Sequence, residues 1–303
     1  MLKCLNCKRF SVVKILLVGA ILFFATPVYA ADLYFFTRAE AIHVDDVFVV
    51  ETHLSSPDEL INVVDGTILF DKEKLEVKEL SAGGSVLNLW AEEPTFSNSA
   101  GTISFVGGTP DGFQGENLIL KVIFRAKNIG EAKIFLSDDF ALFLSDGQGT
   151  RLSPQARQLT LDIKERPSQI SPRDEWKDFI GEDTTPPEFI EAIISKDQRV
   201  FDGKYFVSFF ATDKDSGIAY YEIKEGERDF SRAISPYVLE DQTLKGGVQI
   251  KAVDAAGNEQ ITEAEIYVPT TPFYKNITFW VIAFLIIIVY GWRAVWRRRK
   301  ANG

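Results

Sequence analysis

Ala100-Gly101-Thr102-Ile103-Ser104-Phe105-Val106-Gly107-Gly108-Thr109-Pro110 reads as one short strand entered and left through glycine. Alternation puts Ile103 and Phe105 on one face and Thr102, Ser104 and Val106 on the other. The glycines mark tight turns or close backbone approach, since glycine alone enters positive φ freely. Longer alternating runs flank this stretch, at 60–71 and 118–126. A strand this short is stable only inside a sheet built by its neighbours, so those neighbours set the fold of the first half of the chain.

Outward from that stretch, residues 32–164 carry only strand signals. In 47–54, Phe48, Val50 and Leu54 share one face, and Val49, Glu51 and His53 share the other. In 60–70, Val64, Gly66, Ile68 and Phe70 point inward, and Asp65, Thr67 and Leu69 point outward. Further strands are predicted at 33–38, 75–80, 86–90, 102–106, 118–126, 132–136, 141–144 and 158–163. Turns separate them at Ala82-Gly83-Gly84, Pro110-Asp111-Gly112 and Asp146-Gly147-Gln148-Gly149. Many short strands at this spacing predict a β-sandwich, with a jelly roll the first choice.

The order of these pieces resembles a cohesin domain, the module that binds dockerins in cellulosomes. The resemblance rests on Val44-Asp45-Asp46-Val47-Phe48, on 61–71 (Ile-Asn-Val-Val-Asp-Gly-Thr-Ile-Leu-Phe-Asp), on Lys74-Leu75 and on Phe96-Ser97-Asn98 before Gly101-Thr102-Ile103. Val106-Gly107-Gly108, 118–127 (Leu-Ile-Leu-Lys-Val-Ile-Phe-Arg-Ala-Lys) and Asp146-Gly147-Gln148-Gly149-Thr150 complete it. One departure is Asp45-Asp46, where cohesins usually show Gly-Asp. The resemblance implies a nine-stranded jelly roll over 31–164, like a carbohydrate-binding module. It also implies protein binding through one flat sheet face, with no catalysis. Asp65 falls where some cohesins carry an Asp that contacts dockerin. With Thr67, Leu69, Thr102, Ser104 and Val106 it forms the predicted partner-binding set, a polar anchor beside apolar contact. Trp90, Phe96 and Phe113 are the rival set, which would stack on sugar rings; aromatic residues of a sandwich more often belong to the core.

Residues 165–185 read as a linker, rich in Pro, Ser and charge, in which Trp176, Phe179 and Ile180 are placed to dock on a neighbour. Six or seven strands are predicted in 186–269, an immunoglobulin-like sandwich. Asp183-Thr184-Thr185-Pro186-Pro187, Asp213-Lys214-Asp215-Ser216-Gly217-Ile218, Ser235-Pro236-Tyr237 and Ala252-Val253-Asp254-Ala255-Ala256-Gly257-Asn258 resemble bacterial Ig-like or fibronectin type III-like surface repeats. That resemblance implies a spacer or stalk. The fold class expected is therefore all-β, two sandwiches followed by one transmembrane helix.

The ends carry the targeting signals. Residues 1–30 read as a signal peptide, with Lys3, Lys8, Arg9 and Lys14 before an apolar run and Val28 and Ala30 at the cleavage positions. Cys4 and Cys7, the only cysteines, would leave with it, so no disulfide supports the exported domains. Residues 275–296 are long and apolar enough to span a bilayer and are flanked by aromatic residues. Arg297-Arg298-Arg299-Lys300 then make 297–303 a cytoplasmic tail, with the preceding domains outside the cell. The chain would thus be a single-pass cell-membrane protein.

Charge and missing motifs narrow the function. The chain carries 43 acidic and 33 basic residues. Ten of the basic ones lie outside the acidic stretch, so the middle carries a net charge of about −20, which repels nucleic acid phosphate. No serine nucleophile motif, histidine pair or metal-ligand spacing supports an enzyme, and Glu92-Glu93 on a strand point to opposite faces. No cofactor is expected. Asp213, Asp215, Asp254 and Asn258 are calcium candidates, set against the favoured reading of a hydrogen-bonded turn made by Asp and Ser side chains. The partner expected is a dockerin-like module of a secreted protein, or a polysaccharide, and the remaining alternative is a structural or adhesion protein of the cell surface.

Overall fold

The structure, a computed structural model, describes residues 31–267 and, beyond them, Trp280, Val281, Phe284, Ile286 and Tyr290. The expected signal peptide and cytoplasmic tail lie outside the described residues. So does the expected span, apart from those five residues, which are helical and exposed. Among the described residues no helix is long and apolar enough to cross a membrane.

The first domain contains β1 (Asp32–Phe36), β2 (Ile42–His43), β3 (Val47–Phe70), β4 (Leu75–Ser81), β5 (Leu89–Ser97), β6 (Thr102–Ala126), β7 (Gly130–Leu136), β8 (Ala141–Leu144), β9 (Arg151–Leu152), β10 (Gln155–Arg157) and β11 (Leu159–Lys164). β3 and β6 are the frame. They run antiparallel over nearly their whole length and pass from one layer of a sandwich to the other. In one layer the order is β5, the start of β6, the end of β3, then β8. In the other it is β4, the end of β6, the start of β3, β1, then β10. β7 continues from the end of β3 to β11 and β2.

Alternation fills the space between the layers. Phe48, Val50, Leu54, Leu120, Val122 and Phe124 from one layer meet Val64, Ile68, Phe70, Ile103 and Phe105 from the other in a single core. Burying side chains of this size stabilises by about 1.5–3 kcal/mol each, in a domain whose described residues contain no cysteine.

Three sequence expectations need correction. First, 47–54 and 60–70 are one strand, and so are 102–106 and 118–126. Pro110-Asp111-Gly112 does not separate strands; residues 109–112 bulge out of the ladder between the Gly108 and Phe113 pairings. Proline has no N–H to give to the ladder, and Gly112 takes φ +72°. Second, the strand expected at 86–90 starts at Leu89 and runs to Ser97. Third, the linker holds a helix, α1 (Glu175–Glu182), with Asp174 accepting from the Lys177 amide as N-cap.

α1 fixes the linker to the first domain. It lies on the outer side of the second layer, where Val49 and Ile123 are paired across β3 and β6. Trp176, only 5% exposed, covers both, with Phe179 and Ile180 beside it. The Trp176 indole donates to Glu79 Oε2 at 3.0 Å, and the Val49 amide donates to Glu175 Oε2 at 3.2 Å.

Asp46 secures the start of the same linker. Its carboxylate accepts from the His43 amide at 2.7 Å, the Arg173 amide at 2.8 Å and Arg166 Nη2 at 3.0 Å. Burial by itself raises this carboxyl, but those amides and Arg166 outweigh it and hold it below the ordinary carboxylate range. The folded value lies below the unfolded one, so the stabilisation is complete above the unfolded value of about 3.9 and is lost as pH falls through the folded value. Denaturation of the wild type is expected to lose stability more steeply below pH 4 than that of Asp46→Asn. Parallel losses would show that Asp46 is not a source of acid sensitivity. Asp45, where cohesins usually show glycine, takes φ +70°. Asp tolerates this left-handed region better than most residues do.

The second domain contains β12 (Glu188–Lys196), β13 (Tyr205–Thr212), β14 (Ile218–Glu225), β15 (Ser231–Ala233), β16 (Tyr237–Val238), β17 (Val248–Asp254), β18 (Glu259–Glu263) and β19 (Glu265–Ile266). They make two four-stranded sheets, β16-β13-β12-β19 and β15-β14-β17-β18. Ile194, Val207 and Phe209 of one pack on Ile223, Val248 and Ile250 of the other.

Candidate functional site

The six residues of the predicted partner-binding set come together as three neighbouring cross-strand pairs. Asp65 lies opposite Val106, Thr67 opposite Ser104, and Leu69 opposite Thr102. Directly opposed residues of an antiparallel pair project on the same side of the sheet. Thr67 Oγ1 and Ser104 Oγ are 3.0 Å apart and hydrogen-bonded. Asp65 is exposed and the other five are half-buried.

The flanking strands widen the face. On β5, Ser97 pairs with Thr102, Thr95 with Ser104, Glu92 with Val106 and Leu89 with Gly108. On the other side, Phe135 pairs with Leu69 and Phe143 with Val63. The outcome is a sheet surface with Thr67 and Ser104 at its middle. Apolar groups surround them: Leu69 and Phe135 at one end, Val63, Val106 and the 62% exposed Leu89 at the other. Asp65 and Glu92 bracket Val106 with two negative charges. Sequence reasoning missed Val63, Leu89, Glu92, Thr95, Phe135 and Phe143. Val63 was readable, being two residues before Asp65 in the same alternation. The others depend on which strand lies beside β3 and β6, and that is a long-range pairing.

The glycines behind this surface serve close approach. A Cβ on Gly107 would fall 2.5 Å from the Trp90 ring. Trp90 is thus turned inward, edge-on to Phe105 with 6.0 Å between ring centroids. Phe113 is 6% exposed and belongs to the core. Only Phe96 of the expected sugar-stacking set is exposed, at 42%, and it sits opposite the buried Ile103 on the edge strand. The three rings therefore do not line up on the surface. For Trp90 the physical reason is that Gly107, its partner across the strands, leaves room for the ring under the sheet.

The two outer faces of the sandwich differ. The outer face at Val49 and Ile123 is closed by α1, and Lys121 beside them is only 5% exposed, with Nζ 4.7 Å from the centre of the Phe179 ring. Among the described residues, the face of Asp65, Thr67 and Leu69 has no such cover.

The second domain's candidates separate. Asp213 and Asp254 are buried and lie near Asp183, which the sequence reading did not count among the calcium candidates. Asp215 is not in that group. Its amide donates to Asp213 Oδ1 at 3.1 Å, and its carbonyl accepts from Lys121 Nζ at 2.7 Å. Asn258 donates to Asp254 Oδ2 at 2.9 Å through its side-chain amide. The Gly217 amide also donates to Asp213 Oδ1, at 2.7 Å, so the hydrogen-bonded turn of the sequence reading is present.

A scan against protein-family models finds no match, and neither does a search of curated proteins. Solved structures do match. The chain is similar to the seventh ScaB type I cohesin from Pseudobacteroides cellulosolvens, at 16% identity and TM-score 0.39, over 46% of this chain and 97% of that one. It is similar to the cohesin–dockerin complex Coh-OlpC–Doc435 from Clostridium thermocellum, at 12% identity and TM-score 0.40, over 46% and 97%. A non-cellulosomal cohesin from the archaeon Archaeoglobus fulgidus matches at 13% identity and TM-score 0.37, over 45% and 91%.

Proposed function

We propose that this chain is a non-catalytic docking protein. Its first domain binds a dockerin-type module of another secreted protein on the face of Asp65, Thr67, Leu69, Thr102, Ser104 and Val106. The observation behind this reading is the contrast between the outer faces: the chain's own helix closes one, and among the described residues nothing closes the other. The open face is apolar in part, with a central hydrogen-bonded Thr–Ser pair and carboxylates beside Val106, the mixture found in protein interfaces. The partner class is the one implied by the cohesin resemblance. The second domain would act as a stalk. The apolar run 275–296 and the basic residues after it support presentation outside the cell by one C-terminal span.

The test is capture by the full-length protein from the organism's secreted proteins, in calcium and in EDTA, because dockerins need calcium to fold. The expected result is a calcium-dependent partner with a duplicated calcium loop, whose recovery falls sharply with Asp65→Ala. Retention on insoluble polysaccharide with no protein captured would overturn the reading in favour of direct carbohydrate binding.

A further inference from the structure

We propose that Asp183, Asp213 and Asp254 form a calcium site at the junction of the two domains. Each offers a carboxylate oxygen, and these atoms all lie within 4.8 Å of one another. Two oxygens on one calcium ion, each at 2.3–2.6 Å, are at most about 5 Å apart, so one ion reaches all three. The three residues come from separate places: Asp183 is the C-cap of α1, Asp213 directly follows β13 and Asp254 ends β17. Asp213 and Asp254 are 5% and 2% exposed. Among the described residues none of the three forms an ion pair.

A second observation points to a ligand. Asp213 Oδ1 is turned to the Gly217 and Asp215 amides, while Asp213 Oδ2 is buried without any hydrogen-bond partner. A buried carboxylate oxygen left unpaired costs free energy that a cation offsets. The donors are all oxygen, which selects a hard cation over zinc or copper. Magnesium keeps most of its own waters and a strict octahedron. Three protein carboxylates on separate elements, two of them buried, suit calcium better.

The site would act on domain orientation. The turn that begins at Asp213 is pressed against the first domain, as is Ala255 beside the Val49, Ile123 and Trp176 cluster. Ser81 Oγ donates to the Ser216 carbonyl at 2.8 Å, and the Gly84 amide donates to the Asp213 carbonyl at 2.9 Å. A Cβ on Gly83 would lie 2.4 Å from the Asp215 carbonyl oxygen. An ion held between this turn, the end of α1 and β17 would fix the linker, the turn and the second domain as one body.

The experiment uses the purified full-length protein alone, stripped with EDTA, so partner binding does not enter. Equilibrium dialysis with radioactive calcium is combined with thermal melts in calcium, magnesium and EDTA. One calcium per chain is expected, with a melting temperature higher in calcium than in EDTA or magnesium. Asp213→Asn is expected to weaken binding about tenfold or more, since affinity follows ligand charge, and to abolish the shift. Should Asp213→Asn fail to fold, the half-buried Asp183→Asn serves, with the same loss expected and its circular dichroism unchanged. No bound calcium in the wild type, or calcium retained undiminished by the folded variants, would overturn the proposal.

Discussion

Replacing Trp176 with alanine is expected to cost about 3–5 kcal/mol of stability, the range for truncating a buried tryptophan. The side chain is 5% exposed and stacks on Phe179 with 5.3 Å between ring centroids. It also covers Val49 and Ile123, an apolar pair on the outside of the sandwich. Truncation removes its contacts and opens that pair to water, and Glu79 loses the indole donor. Trp176→Phe keeps most of the apolar area and removes the hydrogen bond, so its expected cost is nearer 1 kcal/mol. Denaturant titration of the two full-length variants measures both. Wild-type stability in Trp176→Ala would mean that α1 does not hold the sheet.

Val106→Glu is expected to weaken partner binding by about 30-fold or more, the loss for a central interface residue worth about 2 kcal/mol. Val106 lies between Asp65 and Glu92 across the strands. A third carboxylate there replaces apolar contact with a like charge that a docked partner would bury unpaired. The side chain projects outward, so the cost to folding is small. Lys78→Glu changes the charge by more, but on an exposed position of β4 in the other layer, and binding within about threefold of wild type is expected. Titration of the captured partner with both variants decides. Equal losses would show that bulk charge, not this face, governs the association.

The six residues of the proposed docking face were readable because alternation is a local property. Asp65, Thr67 and Leu69 follow from period two in one run, and Thr102, Ser104 and Val106 from the same period in another. That the two triplets are opposed pairs is a matter of register between residues about 40 apart in the chain, and no local pattern fixes that. The strand crossing at 109–112 was misread for a related reason. Pro-Asp-Gly has the chemistry of a turn, and only the pairing on either side shows that the chain goes on in the same direction.

Helix α1 had its signals. Asp174 is a good N-cap, Glu175 follows in the first turn, and Trp176, Phe179 and Ile180 stand at i, i+3 and i+4. Eight residues are too few for helical propensity to stand out, and the helix depends on Val49 and Ile123, which lie far from it in the chain. Asp183 escaped for the same reason. It ends a linker, and only folding brings it to Asp213 and Asp254.

The central claim is that a partner docks on the open face and leaves the helix-covered one alone. Hydroxyl-radical footprinting of the full-length protein, free and bound to its captured partner, tests this most directly. Protection is expected at Val63, Leu69, Leu89 and Val106, with Trp176 and Phe179 reacting equally in both states. Protection confined to α1 or β4, with Leu69 and Val106 as reactive as in the free protein, would contradict the account.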